Sequence, residues 1–305
     1  QHASMTHEQE TKDTSAAPSH PTDAQGKPAA PGGQGKTRQH DKVTRMGTES
    51  IPRLITEFAI PSILGMLVNG AYNVIDSIFL GQAMGEIGLS TATVAMPVMT
   101  VFMAIAMLVG NGGNALAALR MGEGKPEEAE RSLGNTVTLS LVASVVVAIV
   151  MFVPACIDGL LSVSGATPED WDYAMQFIRI ISLGFIFQCI GMGVNNFIRT
   201  AGAPNRALGT MIIGAVSCTV FNFLFVMVLG WGVQGSALAT VCGQAISCAT
   251  VLWYFCLTKG VPMRLRLRMM PLHGETVRLI LSLGLASFAV QAGMAAVNFV
   301  LNNLL

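Results

Sequence analysis

The chain has 305 residues, 51% of them hydrophobic and only 12% charged, with 18 Lys+Arg balanced by 18 Asp+Glu. A mean hydropathy of +0.55 excludes an ordinary soluble domain and points to an integral membrane protein. The balanced charge offers nothing to nucleic acid.

Residues 1–48 are rich in Pro, Gly, Gln, Ser, Thr and Lys and have no apolar period, which predicts a disordered cytoplasmic tail. No apolar h-region follows its charges, so it does not read as a signal peptide. Long apolar segments follow at 54–80, 89–119, 133–161, 171–198, 207–229 and 235–257, and a seventh starts near 277. Each is long enough to cross a hydrocarbon core of roughly 30 Å as a helix. Of the 18 Lys and Arg, all but Arg179 fall in the tail, the second-to-third, fourth-to-fifth and sixth-to-seventh connections. The connections 81–88, 158–171 and 230–234 hold none. By the positive-inside rule the N-terminus is cytoplasmic. Arg179 is expected to snorkel outward or to pair with Asp172 or another acid.

The predicted fold is an all-α polytopic membrane protein in four parts. These are the tail (1–48), an N-terminal six-helix lobe (49–258), a basic cytoplasmic linker (259–276) and the first helix of a second lobe (277–305). An offset of 225 residues pairs Arg53-Leu54-Ile55 with Arg278-Leu279-Ile280, Ser62 with Ser287 and Asn73 with Asn298. Six helices separate the two copies, so both enter the membrane in the same direction, as in a parallel repeat of two six-helix lobes. On this reading the chain is truncated within its seventh helix.

Within 65–81 the apolar run carries Asn69, Tyr72, Asn73 and Asp76. Positions 69, 72/73 and 76 share one face at helical spacing. Asp76 is the only carboxylate well inside an apolar segment, where an ionisable group costs roughly 2.5–3.5 kcal/mol on the insertion scale. Two roles stand for it, ion exchange and a structural hydrogen bond across the bundle. The cysteines (156, 189, 218, 242, 248, 256) show no CxxC or metal-like spacing and read as buried thiols. No metal site, cofactor or enzymatic constellation can be assembled. The cluster Gly110-Asn111-Gly112-Gly113-Asn114 reads as a close helix crossing rather than a cavity wall.

From about residue 50 to the end, the order of motifs resembles the MATE (multidrug and toxic compound extrusion) family. The first segment carries Pro61, Gly65, Tyr72, Asn73, Asp76 and Leu80-Gly81. The second ends with Gly110 to Ala115 and an Arg120 to Gly124 turn, and the fourth with Asn195, Arg199 and Gly202. The string LGWGVQGSALATVCGQ spans 229–244. The resemblance implies a twelve-helix antiporter of the inner membrane, monomeric when full length. It would use a proton or sodium gradient to export amphipathic, often cationic, compounds. In the DinF-like branch, to which the chain is closer, it assigns cation coupling to Asp76 assisted by Tyr72 and cavity positions to Asn222 and Thr240; the polar face read above adds Asn69 and Asn73 to that cavity. Where that branch has a fifth-helix Asn–Asp pair, this chain has Cys218 and Asn222, so Asp76 is left as the one acid. Two alternatives are a lipid-linked precursor flippase of the wider superfamily and a receptor or scaffold that transports nothing.

Overall fold

The computed structural model describes residues 50–304; the predicted tail lies outside them. No strand occurs among the described residues. The first helical element, α1 (Ile51–Gly122), contains both of the first two predicted segments. Gly85 interrupts it with φ 63° and ψ −136°, a backbone region open to glycine alone without strain. A Cβ on Gly88 would stand 2.6 Å from the carbonyl oxygen of Leu80, whereas eight residues of straight helix span about 12 Å. The chain therefore folds back at Gly85, and α1 is a hairpin with arms 51–84 and 86–122.

The third predicted segment is shorter than expected. α2 (Pro126–Phe152) ends where Val153 turns extended ahead of Pro154, as the residue before a proline is driven to do. Pro154 then opens a separate short helix, α3 (Pro154–Val163). α4 (Trp171–Gln188) runs through a π-helical turn, Cys189–Val194, into α5 (Asn195–Thr200) as one span. α6 (Pro204–Asn222) continues into a second π turn, Phe223–Val228. α7 (Gly232–Leu257) and α8 (Gly274–Leu304) complete the described chain. Six of these helices are long and apolar enough to cross a membrane. With both arms of α1 counted, they account for the seven segments read from the sequence.

The inside and outside of this bundle suit lipid. Leu67, Val146, Val216, Trp253 and Val290 face outward, while Ser132, Asn135, Thr136, Asn195 and Ser236 are buried. Without water to compete, polar side chains hold helices together. Ser132 donates to the Gly113 carbonyl at 2.8 Å, and Asn195 donates to the Ala207 carbonyl at 3.1 Å and to Thr210 at 2.5 Å. Apolar packing forms two clusters. One gathers Leu80, Ile157, Phe185 and Val233, and the other Leu133, Phe197, Val251 and Met263.

The Gly-rich run in the second arm of α1 is a helix crossing, as its composition predicts. A Cβ on Gly112 would meet the Ile280 carbonyl at 1.9 Å, and one on Gly284 would meet the Leu108 carbonyl at 1.9 Å. α8 therefore lies backbone against backbone on this arm. Asn111 donates to Ser287 at 3.1 Å and accepts from Asn196 at 2.7 Å. Further along α8, Asn302 donates to the Thr93 carbonyl at 2.9 Å. Arg179 does not pair with Asp172; its guanidinium lies 5.7 Å from the Phe152 ring centroid, a cation–π contact.

The basic segment between α7 and α8 is strapped to α2. Glu130, almost fully buried, accepts the Arg264 backbone N–H at 3.0 Å and pairs with Arg266 at 3.2 Å. Asn135 accepts the His273 N–H at 2.8 Å, and Thr138 donates to the Met270 carbonyl at 2.7 Å. In the turn from α1 to α2, Arg120 bonds Glu123 at 2.8 Å and holds its carboxyl below the ordinary value. That contact is complete at neutral pH and is lost as pH falls through the lowered value.

Gly112→Ala or Gly284→Ala should lower thermal stability by about 1–3 kcal/mol or more, because backbone must move to admit the methyl group. Gly70→Ala, with open space around its Cβ, should be neutral or stabilising by about 0.5–1 kcal/mol. Melting of purified protein in detergent, followed by size-exclusion chromatography, reads both.

Candidate functional site

Three elements converge on Asp76. The first arm of α1 carries the carboxylate, α6 ends on Asn222, and the first turns of α7 carry Ser236 and Thr240. Helices α6 and α7 approach closely because Gly243 faces the Cys218 backbone, its Cβ position only 2.9 Å from the Cys218 Cα. That approach brings two donors onto one oxygen. Asn222 Nδ2 donates to Asp76 Oδ1 at 2.5 Å, and Ser236 Oγ donates to the same atom at 3.0 Å. Both donors are sealed from the surroundings, Asn222 being 1% and Ser236 0% exposed.

The remaining expected residues divide. Thr240 is buried beside this cluster and donates to the Ser236 carbonyl at 3.1 Å, so it braces Ser236 and does not touch Asp76. Tyr72, one turn before Asp76, sits within electrostatic reach of Asp76 and Cys218. Asn69 and Asn73 stay on their own helix: Asn73 Nδ2 donates to the Asn69 carbonyl at 2.8 Å and to Asn69 Oδ1 at 3.5 Å. Asn73 is exposed, and its side chain hydrogen-bonds within its own helix.

Ser236 is the site residue that sequence reading missed. Its signal was present, since it stands four residues before Thr240 and so shares its helix face. A serine in an apolar helix is ordinarily satisfied by the carbonyl four residues back, which hides its reach to another helix.

The carboxamide of Asn222 has one further property. Its Oδ1 is buried and has no hydrogen-bond partner. An acceptor left so costs about 1–3 kcal/mol. A carboxamide offers both donors and an acceptor. It can donate to an ionised Asp76 and, turned over, accept from a protonated one. The arrangement therefore accommodates both charge states of the acid, and the spare carbonyl oxygen suits a proton or a small cation.

No group of three or more His, Cys, Asp or Glu capable of holding a metal occurs among the described residues. The MatE family model matches residues 61–224, which contain Asp76, Tyr72 and Asn222. The chain belongs to the MatE family. Multidrug export protein MepA of Staphylococcus haemolyticus is 24% identical over 210 residues, covering 68% of this chain and 45% of that protein. The solved structure of the MATE multidrug transporter DinF-BH, bound to a dye, superposes with TM-score 0.79 at 34% identity, covering 85% of this chain and 57% of its own. An inward-facing MATE transporter of the MOP superfamily superposes with TM-score 0.70 at 27% identity, covering 75% and 51%. The chain thus spans about half the length of the curated relatives it matches. It is a multi-pass membrane protein of a family of multidrug efflux transporters.

Ser236→Ala and Asn222→Ala should each lower stability by about 1–2 kcal/mol, the range for hydrogen bonds inside a membrane bundle or to a charged group. Because both donors share one oxygen, the double variant should depart from additivity. A double-mutant cycle on detergent-solubilised protein measures that departure, and strict additivity would contradict the shared-oxygen geometry.

Proposed function

We propose that this chain supplies the ion-coupling half of a proton- or sodium-driven antiporter that exports amphipathic, often cationic compounds. The observation that carries the reading is the half-buried Asp76 carboxylate, with one oxygen shared by the buried Asn222 and Ser236 side chains and the unpartnered Asn222 carbonyl beside it. Antiport needs a group whose ligand changes between two states that differ in affinity. Asp76 is that group: protonated or cation-bound it is neutral and releases a cationic substrate, and ionised it attracts one. Tyr72 and Thr240 shape its surroundings, Asn69 stands two turns before Asp76 on the same face of α1, and the exposed Asn73 bonds back to Asn69. The replacement of a second acid by Asn222 leaves one titrating carboxylate here, so this lobe exchanges a single charge.

The segregation of Lys and Arg supports an N-terminus on the cytoplasmic side of a bacterial inner membrane. The strapped segment 259–276 serves as the cytoplasmic connection to a second lobe beginning at 277, in a protein that works as a monomer. The relatives are named as multidrug export and multidrug resistance proteins, which supports a transport role.

The test uses the full-length protein in proteoliposomes, with proton and sodium gradients imposed separately and a cationic dye as cargo. One gradient should drive dye movement, and Asp76→Asn should reduce the driven flux at least about tenfold at equal folded protein. Undiminished flux in Asp76→Asn would remove the carboxylate from the mechanism. If neither gradient moves the dye through the wild type, the antiporter reading fails.

A further inference from the structure

The elements that hold Asp76 share a feature one turn toward the connections that lack Lys and Arg. Leu80 follows Asp76 by four residues, Val226 follows Asn222 by four, and Val233 precedes Ser236 by three. All three aliphatic side chains are buried, at 1%, 2% and 2% exposure. Val226 and Val233 line a cavity of about 500 Å³, bounded by the ends of the first arm of α1, α4, the second π turn and α7, and Leu80 belongs to the same apolar cluster as Val233. Of its lining residues, Val226 and Val233 are the buried ones and therefore form its floor. Its walls carry Gln82, Gln176 and Gln234, and Gln234 Nε2 donates to Gln176 Oε1 at 2.6 Å. No Lys or Arg lines it, while Glu86 opens the second arm of α1, Asp172 lies in the first turn of α4 and Glu169 in the connection before it.

We propose that this cavity is the entrance through which the coupling cation reaches Asp76, and that Leu80, Val226 and Val233 form the apolar septum that closes it. The proposal rests on the coupling role given to Asp76 and on the orientation given above. Carboxamides solvate a proton carrier or small cation without fixing it as a carboxylate would, so the ion can enter and still leave. An acidic surround without cations concentrates positive charge at the mouth. The septum is one helical turn thick, about 5.4 Å, and a hydrophobic constriction of that kind bars ions by excluding water. Val226 rides on the π turn Phe223–Val228, the sort of helix irregularity that recurs at functional sites. A small backbone adjustment there opens the septum without moving α6 or α7 as a whole.

The test reads Asp76 directly. A water-soluble carbodiimide is applied outside cells that carry the full-length transporter, and the Asp76 adduct is quantified by mass spectrometry. Val226→Thr and Val233→Thr, close in shape but polar, should each speed labelling about tenfold over the wild type. A second measurement does not depend on how the variants fold. In a chain with exposed Cys156 and Cys256 replaced by serine, Ala83→Cys is sealed after folding with a bulky membrane-impermeant maleimide. Labelling at Asp76 should then fall about tenfold. Unchanged labelling in both threonine variants, or unchanged labelling after sealing, overturns the proposal and leaves the cavity an interfacial crevice only, its Tyr173 and Trp231 at headgroup level. Labelling requires no transport, so a failed Asp76→Asn flux test removes the coupling reading without altering this result.

Discussion

Inside a bilayer a polar group has only its own protein for a partner, and that constraint organises this chain. Serine, threonine and asparagine are buried among the aliphatic core residues. They join arm to helix at Ser132–Gly113, Asn195–Thr210 and Asn111–Ser287. Asp76 is the extreme case, because it brings a charge as well as hydrogen-bonding capacity. Its two donors come from different helices, so whatever changes its charge is felt at once by α6 and α7.

This is why the site is both stable and poised. A carboxylate accepting two hydrogen bonds on one oxygen is well held, yet the second oxygen and the spare carbonyl of Asn222 stay available. Had α6 carried an aspartate in place of Asn222, two like charges would sit within hydrogen-bond distance, and one would have to be neutralised. The amide removes that repulsion and leaves the pair with one exchangeable charge.

Much of the fold was legible in the sequence, because span length and charge segregation are coarse properties fixed by the membrane. The break of the third segment at Pro154 escaped notice because the run 133–161 is uniformly apolar, and hydropathy does not register a stop between apolar helices. The fold-back at Gly85 was visible as a connection, while its tightness was not. At the site, helical spacing placed Asn69, Asn73 and Asp76 on one broad face. Three residues of helix still turn the chain about 60° short of a full circle, enough to separate Asn73 from the Asp76 cluster. The meeting of Asp76 with Ser236 lies across 160 residues, a pairing that no local periodicity records. The basic run before α8 reads from sequence only as a cytoplasmic linker, since the carboxylate that holds it, Glu130, sits in another helix.

That strap and the glycine crossing together decide how the molecule can bend. The segment 264–273 is bonded along α2, and α8 is locked to the second arm of α1 from Gly284 to Asn302. A rocking motion that split the chain at the start of α8 would have to rupture all of these at once. Among the described residues, α8 is therefore held against the second arm of α1 along much of its length. The repeat read from the sequence therefore begins at a helix bonded to the spans before it, and the repeat boundary is not a seam among the described residues.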